Sequence, residues 1–220
     1  DSARGNSSHN HNPFIMLRRP GTTETQGEVI GFSLVYSGNF LAQAEVDTWD
    51  TTRVTMGINP FGFDWKLAPE EAFQTPEAVL VYSCEGMGDM SRTFHRLYRS
   101  RLARGQWRDK PRPILINNWE ATYFDFTEEK LVAIAKTAKA DGVELFVLDD
   151  GWFGARSNDF AGLGDWQANT SRLARGITGL AERIDALGMK FGLWFEPEMV
   201  NKDSDLYRAH PDWIISVPGR

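Results

Sequence analysis

A repeating order of apolar strands and amphipathic helices after residue 113 constrains the fold of this chain more than any other feature. Strands are predicted over residues 114–116, 143–148 and 190–195. Thr127 is predicted to cap the first of two helices that lie between them. The apolar residues of these helices recur every three to four positions: Leu131, Ile134, Ala135 and Ala138, then Ile177, Leu180, Ala181, Ile184 and Leu187. This alternation indicates a parallel sheet covered by helices.

Both a doubly wound sheet and a (β/α)8 barrel show this alternation, and the residues after each strand distinguish them. Each predicted strand is followed by a polar and aromatic segment: Asn117-Asn118-Trp119-Glu120, Asp149-Asp150-Gly151-Trp152 and Trp194-Phe195-Glu196-Pro197-Glu198. Barrel enzymes assemble their sites from several strand ends. No Gly-rich phosphate-binding turn follows the first strand, which disfavours a nucleotide-binding sheet. We therefore expect an α/β fold with a partial (β/α)8 TIM barrel, and we expect the chain to be a fragment because three strands do not close a barrel.

The first half of the chain has the pattern of a β domain. Strands are predicted over residues 28–37, 41–49, 51–58 and 78–82. A helix capped by Asp89 is predicted over residues 89–102. We expect three segments: the C-terminal part of a β-sandwich domain (1–88), a linker helix (89–112) and the first three β/α units of the barrel (113–220).

Composition excludes some classes of partner. The net charge of −6 argues against nucleic acid, because phosphate binding needs clustered Lys and Arg. No apolar run approaches the roughly 18 residues of a membrane span, so no membrane is expected. Residues 1–20 are polar and lack the apolar core of a signal peptide, which favours a cytoplasmic location. The single cysteine, Cys84, is expected to be a small buried apolar group.

Asp149 and Asp150 are the most specific candidates for chemistry. Two adjacent carboxylates at the end of an apolar strand are costly unless each is paired or hydrogen-bonded. Gly151 allows the backbone to turn, so both side chains could reach one ligand. The structural alternative is that one carboxylate caps the following loop while the other pairs with a Lys or Arg. A general acid–base pair is disfavoured. Retaining glycosidases hold their two carboxyls about 5 Å apart, facing one another across the scissile bond, and residues adjacent in sequence rarely reach that arrangement.

Aromatic and acidic residues in the same segments suggest a sugar pocket. Four tryptophans lie in or just beyond the strand ends: Trp119, Trp152, Trp166 and Trp194. Sugars pack their C–H faces against such rings while their hydroxyls bind carboxylates. Glu196 is a further pocket candidate, and Glu198 more often would hold a cation or a loop amide. His9 and His11 lack acidic or Cys neighbours, so no metal is expected.

Several motifs together resemble those of the glycoside hydrolase family 36 α-galactosidases. They are Ser8-His9-Asn10-His11-Asn12-Pro13-Phe14, Asn117-Asn118-Trp119-Glu120-Ala121, Leu148-Asp149-Asp150-Gly151-Trp152-Phe153-Gly154, Leu163-Gly164-Asp165-Trp166, Gly192-Leu193-Trp194-Phe195-Glu196-Pro197-Glu198-Met199-Val200 and Ser204-Asp205-Leu206-Tyr207-Arg208-Ala209-His210-Pro211-Asp212-Trp213. The second and third strand-end motifs are the most specific, and the similarity extends over the whole chain.

The resemblance implies an N-terminal β-supersandwich, a catalytic (β/α)8 barrel and a C-terminal β domain, often in a homotetramer. It implies hydrolysis of terminal α-galactosides such as melibiose, raffinose and stachyose, with retention and without a metal or other cofactor. Asp149 and Asp150 match the pair that binds the galactose 4- and 6-hydroxyls, while Trp119 and Trp194 match pocket walls. The family's nucleophile lies in a Lys-Trp-Asp motif and its acid/base is another Asp; both are expected beyond Arg220, so no catalytic residue is assigned.

Two alternatives stay open at this point. The parent could be an enzyme of related specificity, an α-N-acetylgalactosaminidase or an α-galactosyl transferase. The chain could instead be a non-catalytic piece that binds sugar or packs against a partner. A nucleophile encoded after Arg220 would favour the enzyme.

Overall fold

The chain divides into two units, residues 1–110 and residues 111–220. The structure is a computed structural model that describes residues 1–216 and 219. The first unit contains a three-stranded antiparallel sheet in the order β1-β2-β5 and a separate β3-β4 hairpin. Its strands are β1 (Phe14–Arg18), β2 (Val29–Val35), β3 (Phe40–Val46), β4 (Thr52–Ile58) and β5 (Glu77–Ser83). The predicted β segments are present, and β1 is an additional strand that pattern reasoning missed.

Helix α1 (Met87–Leu97) packs on this sheet and continues as a π-helical turn, Tyr98–Leu102. Its buried residues Met90 and Phe94 contact Val29, and together they form the core of the first unit. The N-cap is Gly86, so the predicted cap was wrong: Asp89 lies in the first turn, where its carboxylate accepts a hydrogen bond from Ser83 Oγ at 2.8 Å.

Two further predictions in the first unit were wrong in detail. The strand predicted to reach residue 49 ends at Val46, because Asp47 Oδ1 accepts hydrogen bonds from the backbone N–H groups of Trp49 (2.8 Å) and Thr51 (3.0 Å) and closes the hairpin turn. Cys84 is exposed rather than buried, since it lies just beyond the end of β5 instead of on the face of the sheet that α1 covers.

The second unit is built on a three-stranded parallel sheet with the order β6-β7-β8. Its elements are β6 (Leu115–Asn117), α2 (Trp119–Thr122), α3 (Glu128–Ala140), β7 (Leu145–Leu148), α4 (Gly176–Asp185), β8 (Lys190–Leu193), α5 (Asp205–Ala209) and a 3₁₀ turn, Pro211–Trp213. Parallel strands joined through α3 and α4 are the start of a (β/α)8 barrel, so the predicted fold class is confirmed.

The core of the second unit lies between the sheet and its two long helices. Phe146 and Leu148 of β7 are fully buried, and they pack with Leu131 of α3 and with Leu180 and Ile184 of α4. Burying such side chains contributes about 1.5–3 kcal/mol each. This core fixes β7 as the central strand, and it therefore fixes the position of the residues that follow β7.

Candidate functional site

The carboxyl ends of β6, β7 and β8 meet at one edge of the parallel sheet. Trp119 follows β6, Asp149 and Asp150 follow β7, and Trp194 and Glu196 follow β8. Because β7 lies between its two neighbours, the paired carboxylates stand between the segments that carry the two tryptophans. These five predicted site residues therefore lie at one edge of one sheet.

Asp149 is held by neutral groups from the end of β6 and from the backbone of the next residue. Its side chain and backbone are mostly buried, with 8% exposed. Asn117 Nδ2 donates to Asp149 Oδ2 at 2.5 Å, and the backbone N–H of Asp150 donates to Oδ1 at 2.8 Å. The backbone N–H of Asp149 donates to Oδ1 of the buried Asn118 at 2.9 Å. A carboxylate has about four acceptor positions, so Asp149 has capacity left for hydroxyl donors.

Asp150 is held by a buried cation. Arg156 Nε lies 3.0 Å from Asp150 Oδ1 and 3.1 Å from Oδ2, and Nη2 donates to Oδ2 at 2.7 Å. Both side chains are almost inaccessible, with 7% of Asp150 and 4% of Arg156 exposed. The structural alternative of a carboxylate paired with an arginine is thus observed for Asp150. The pairing does not exhaust the carboxylate, because Oδ1 accepts a single hydrogen bond from Arg156.

The tryptophans occupy different surroundings. Trp119 is half-buried, with its ring in edge contact with Tyr123 (5.2 Å between centroids) and Phe124 (5.1 Å). Trp194 is half-buried and stacks at 6.4 Å on the buried ring of Phe153. Both rings keep accessible surface and are backed by other aromatic rings, which is what a stacking wall requires.

Trp152 lies inside the core, with 3% exposed, rather than on the accessible edge. Its ring contacts Phe153, Trp166 and Phe195, and its Nε1–H donates to the backbone oxygen of Trp194 at 3.0 Å. Burying a large apolar ring beside a buried strand end is more favourable than leaving it exposed to water. The structure therefore places Trp152 behind Trp194, where it supports the backbone of that residue.

Glu196 lies half-buried beyond β8, while Glu198 is exposed. Burial raises the pKa of Glu196, and the nearby charge of Glu198 raises that pKa further. Arg156 opposes the shift, and Asp150 adds to it. These interactions indicate that Glu196 shares the electrostatic environment of the Asp150–Arg156 pair.

Comparisons with known proteins agree with this geometry. The sequence profile of the glycosyl hydrolase family 36 N-terminal domain matches residues 1–68, and the melibiase profile matches residues 72–220. The chain belongs to glycoside hydrolase family 36. Among curated relatives, α-galactosidase AgaA of Geobacillus stearothermophilus is 62% identical over 220 residues, and an α-galactosidase of Lactobacillus acidophilus is 50% identical over 219 residues. The match covers 100% of this chain and 30% of each relative.

Solved structures of family 36 enzymes have the same fold. The α-galactosidase AgaB of Geobacillus stearothermophilus matches with a TM-score of 0.95 at 64% identity, over 100% of this chain and 30% of that one. Variants of AgaA, also with a TM-score of 0.95 and 62% identity, were crystallised in complex with raffinose and with stachyose. The chain thus spans about 30% of the length of these family 36 relatives.

Sequence reasoning did not single out three residues that hold the two carboxylates: Asn117, Asn118 and Arg156. The two asparagines were noted as part of a polar strand end, but nothing assigned them to Asp149. Arg156 lies in a loop, where no periodicity marks a residue as buried. The signal that could have found it is the requirement that a buried carboxylate has a cation or several donors, together with an Arg six residues after Asp150.

Residues 1–216 and 219 were searched for metal-binding groups and for membrane-spanning helices. No group of three or more His, Cys, Asp or Glu side chains is placed to hold a metal ion. No helix in the same part of the chain is long and apolar enough to cross a membrane.

Proposed function

We propose that the whole protein containing this chain hydrolyses terminal α-galactosides of the melibiose and raffinose type, with retention of configuration. The observation that carries the proposal is the position of Asp149 and Asp150 at the end of the central strand β7, between the strand ends that bear Trp119 and Trp194. Family 36 relatives crystallised with raffinose and stachyose support it.

The chemistry of galactose fits this arrangement. Galactose has an axial 4-hydroxyl beside its 6-hydroxyl, and two adjacent carboxylates accept hydrogen bonds from such a pair. A site built around those bonds strongly rejects sugars that cannot make them, because buried acceptors are then left unpaired. Trp119 and Trp194 stack on the C–H face of the ring, Trp152 supports Trp194, and Glu196 lies at the edge of the pocket. The nucleophile and the acid/base come from residues after Arg220.

The test is a comparison of nitrophenyl substrates on the purified full-length enzyme. We expect hydrolysis of the α-galactoside and at least about 100-fold lower kcat/KM for the α-glucoside, which differs only at carbon 4. NMR of the first product should show α-galactose, as double displacement requires. Preference for the α-N-acetylgalactosaminide would favour that related specificity, and transfer to a second sugar in place of water would favour a transferase. An inactive full-length protein would contradict the proposal.

Assembly and location extend the proposal. We infer a cytoplasmic homotetramer, with no nucleic-acid or membrane partner; the tetramer rests on the family resemblance, and the absence of a nucleic-acid partner rests on the net charge of −6. Light scattering of the full-length protein and fractionation of its host cells test the two statements separately.

A further inference from the structure

We propose that Arg156 is a positioning residue for galactoside binding, which holds the Asp150 carboxylate so that its free acceptor positions face the sugar. The inference rests on the proposed function and deepens it by naming a residue that acts through Asp150. Arg156 itself need not touch the substrate.

The geometry of the pair orients the Asp150 carboxylate. Arg156 uses Nε and Nη2 on Asp150, at 2.7–3.1 Å, which fixes the plane of the carboxylate as well as its position. Oδ2 accepts from both nitrogens, whereas Oδ1 accepts from Nε alone. Oδ1 therefore has acceptor capacity for a sugar hydroxyl. A lysine would keep the charge but could not fix the plane.

Arg156 also contacts the segments that follow all three strands of the sheet. Its Nη1 donates to the backbone oxygen of Ala161 at 3.1 Å and to Asn201 Oδ1 at 3.3 Å. Ala161 follows β7, and Asn201 follows β8. The guanidinium carbon lies 5.6 Å from the ring centroid of Phe124, which follows β6. The orientation of Asp150 is thus tied to the whole edge of the sheet that bears the candidate site.

The pair is almost completely buried. Taking an arginine and a carboxylate out of water carries a large desolvation cost, so for folding alone a well-packed apolar pair is often as good or better. A pair that is 4% and 7% exposed, directly beside Asp149, is better explained by a requirement for an oriented carboxylate at this position. The competing explanation is that Arg156 only holds the loops together.

The experiment uses the full-length enzyme with Arg156→Lys, Asp150→Asn, the combination of both, and Arg183→Lys as control. Arg183 donates to the mostly buried Glu128 at 2.8 Å and has no hydrogen bond to a candidate sugar-binding side chain in the described residues. Melting temperature, kcat and KM are measured with nitrophenyl α-galactoside and with its 4-deoxy and 6-deoxy analogues.

We expect Arg156→Lys to lower kcat/KM for the galactoside about 10-fold or more, mostly through KM, since a misoriented acceptor weakens binding. The loss should shrink on the one deoxy analogue that lacks the hydroxyl bound by Asp150. In the Asp150→Asn background the lysine should add less than about threefold. Arg183→Lys should leave kcat/KM within about twofold of wild type and should lower the melting temperature only slightly, because the Arg183 side chain is 35% exposed.

The result that overturns the inference is an Arg156→Lys enzyme whose folded fraction keeps wild-type kcat/KM, or loses equally on all three substrates. If Asp150→Asn does not fold, the comparison of substrates in Arg156→Lys decides alone. An inactive wild type would overturn the proposed function and this inference together, whereas an active wild type with an unaffected Arg156→Lys overturns only the inference.

Discussion

At the scale of single residues, the two adjacent carboxylates differ in what holds them. Asp149 accepts hydrogen bonds from a neutral amide and from a backbone N–H. Asp150 balances the charge of a buried arginine. Replacing either carboxylate by an amide therefore has different consequences, because only the loss of the Asp150 charge leaves a buried cation without its counter-ion.

For this reason Asp150→Asn should destabilise the protein by about 3–5 kcal/mol, in addition to any effect on turnover. Urea unfolding monitored by hydrogen exchange of β7 measures the local loss. The double variant Asp150→Asn, Arg156→Met removes both charges and should recover part of the stability that Asp150→Asn loses. Equal stability of wild type and Asp150→Asn would show that Arg156 finds another partner, such as Asp159, which lies 3.8 Å from Nη2.

Glu196 gives a prediction about pH. Because burial and the charge of Glu198 raise the pKa of Glu196 in the folded state, the unfolded chain releases this proton at a lower pH. The stability of the protein therefore falls as pH rises through the window above the ordinary carboxyl pKa. Glu196→Gln should raise the melting temperature at pH 7, and the gain should fade near about pH 4. A gain that is equal at both pH values would contradict the shift.

The sequence was sufficient to find Asp149 and Asp150 but not what holds them. Two adjacent acids after an apolar strand can be recognised from the strand pattern alone. Asn117 binds Asp149 because of the strand order, and Arg156 binds Asp150 because of the path of a loop. Both are properties of the folded chain. The burial of Trp152 depends on the packing of Phe153 and Trp166 in the same way.

At the scale of elements, the close approach of α1 to its sheet depends on Gly31 of β2. A Cβ atom at this position would lie 2.5 Å from Met90 Sδ and 2.7 Å from Phe94 Cε2. Gly31→Ala should therefore destabilise the first unit by about 1–3 kcal/mol, because the two side chains must leave their packed positions. Hydrogen exchange of α1 and β2 measures the effect.

Gly57 of β4 is the matched control for this prediction. A Cβ atom there meets nothing within 4 Å. Gly57→Ala should leave exchange in the first unit unchanged or slower, since alanine restricts the unfolded chain. If both variants accelerated hydrogen exchange in the first unit to a similar extent, the close packing of α1 on Gly31 would be contradicted.

The elements that the sequence predicted well are those with long periodic patterns. Helix α3 begins after Thr127, whose side chain accepts the predicted capping hydrogen bond from the backbone N–H of Lys130 at 3.3 Å. The short helices α2 and α5 were missed because four or five residues carry no helical period. Strand β1 was missed because its pairing with β2, rather than its own pattern, defines it.

At the scale of the whole molecule, the sheet of the second unit has two strands with one neighbour each. Among the described residues β6 and β8 pair only with β7, and Ile114, Leu115 and Phe195 are largely exposed near the ends of these strands. Unpaired backbone and apolar side chains at sheet edges promote association. We expect the isolated 220-residue chain to self-associate or to melt without a cooperative transition, and to lack turnover. Sedimentation and circular dichroism test this, and a monodisperse monomer with a sharp melt would contradict it.

The binding of a sugar hydroxyl by Asp149 is tested most directly by kcat/KM of the full-length Asp149→Asn variant for nitrophenyl α-galactoside. The amide keeps the shape of the side chain and leaves no buried cation unpaired, but its NH2 group faces either Asn117 Nδ2 or the Asp150 N–H, so the melting temperature should fall moderately. Losing one charge-assisted hydrogen bond should cost roughly 1.5–3 kcal/mol, which corresponds to about 10- to 100-fold in kcat/KM. A wild-type kcat/KM in the folded fraction, whatever the melting temperature, would contradict this role of Asp149.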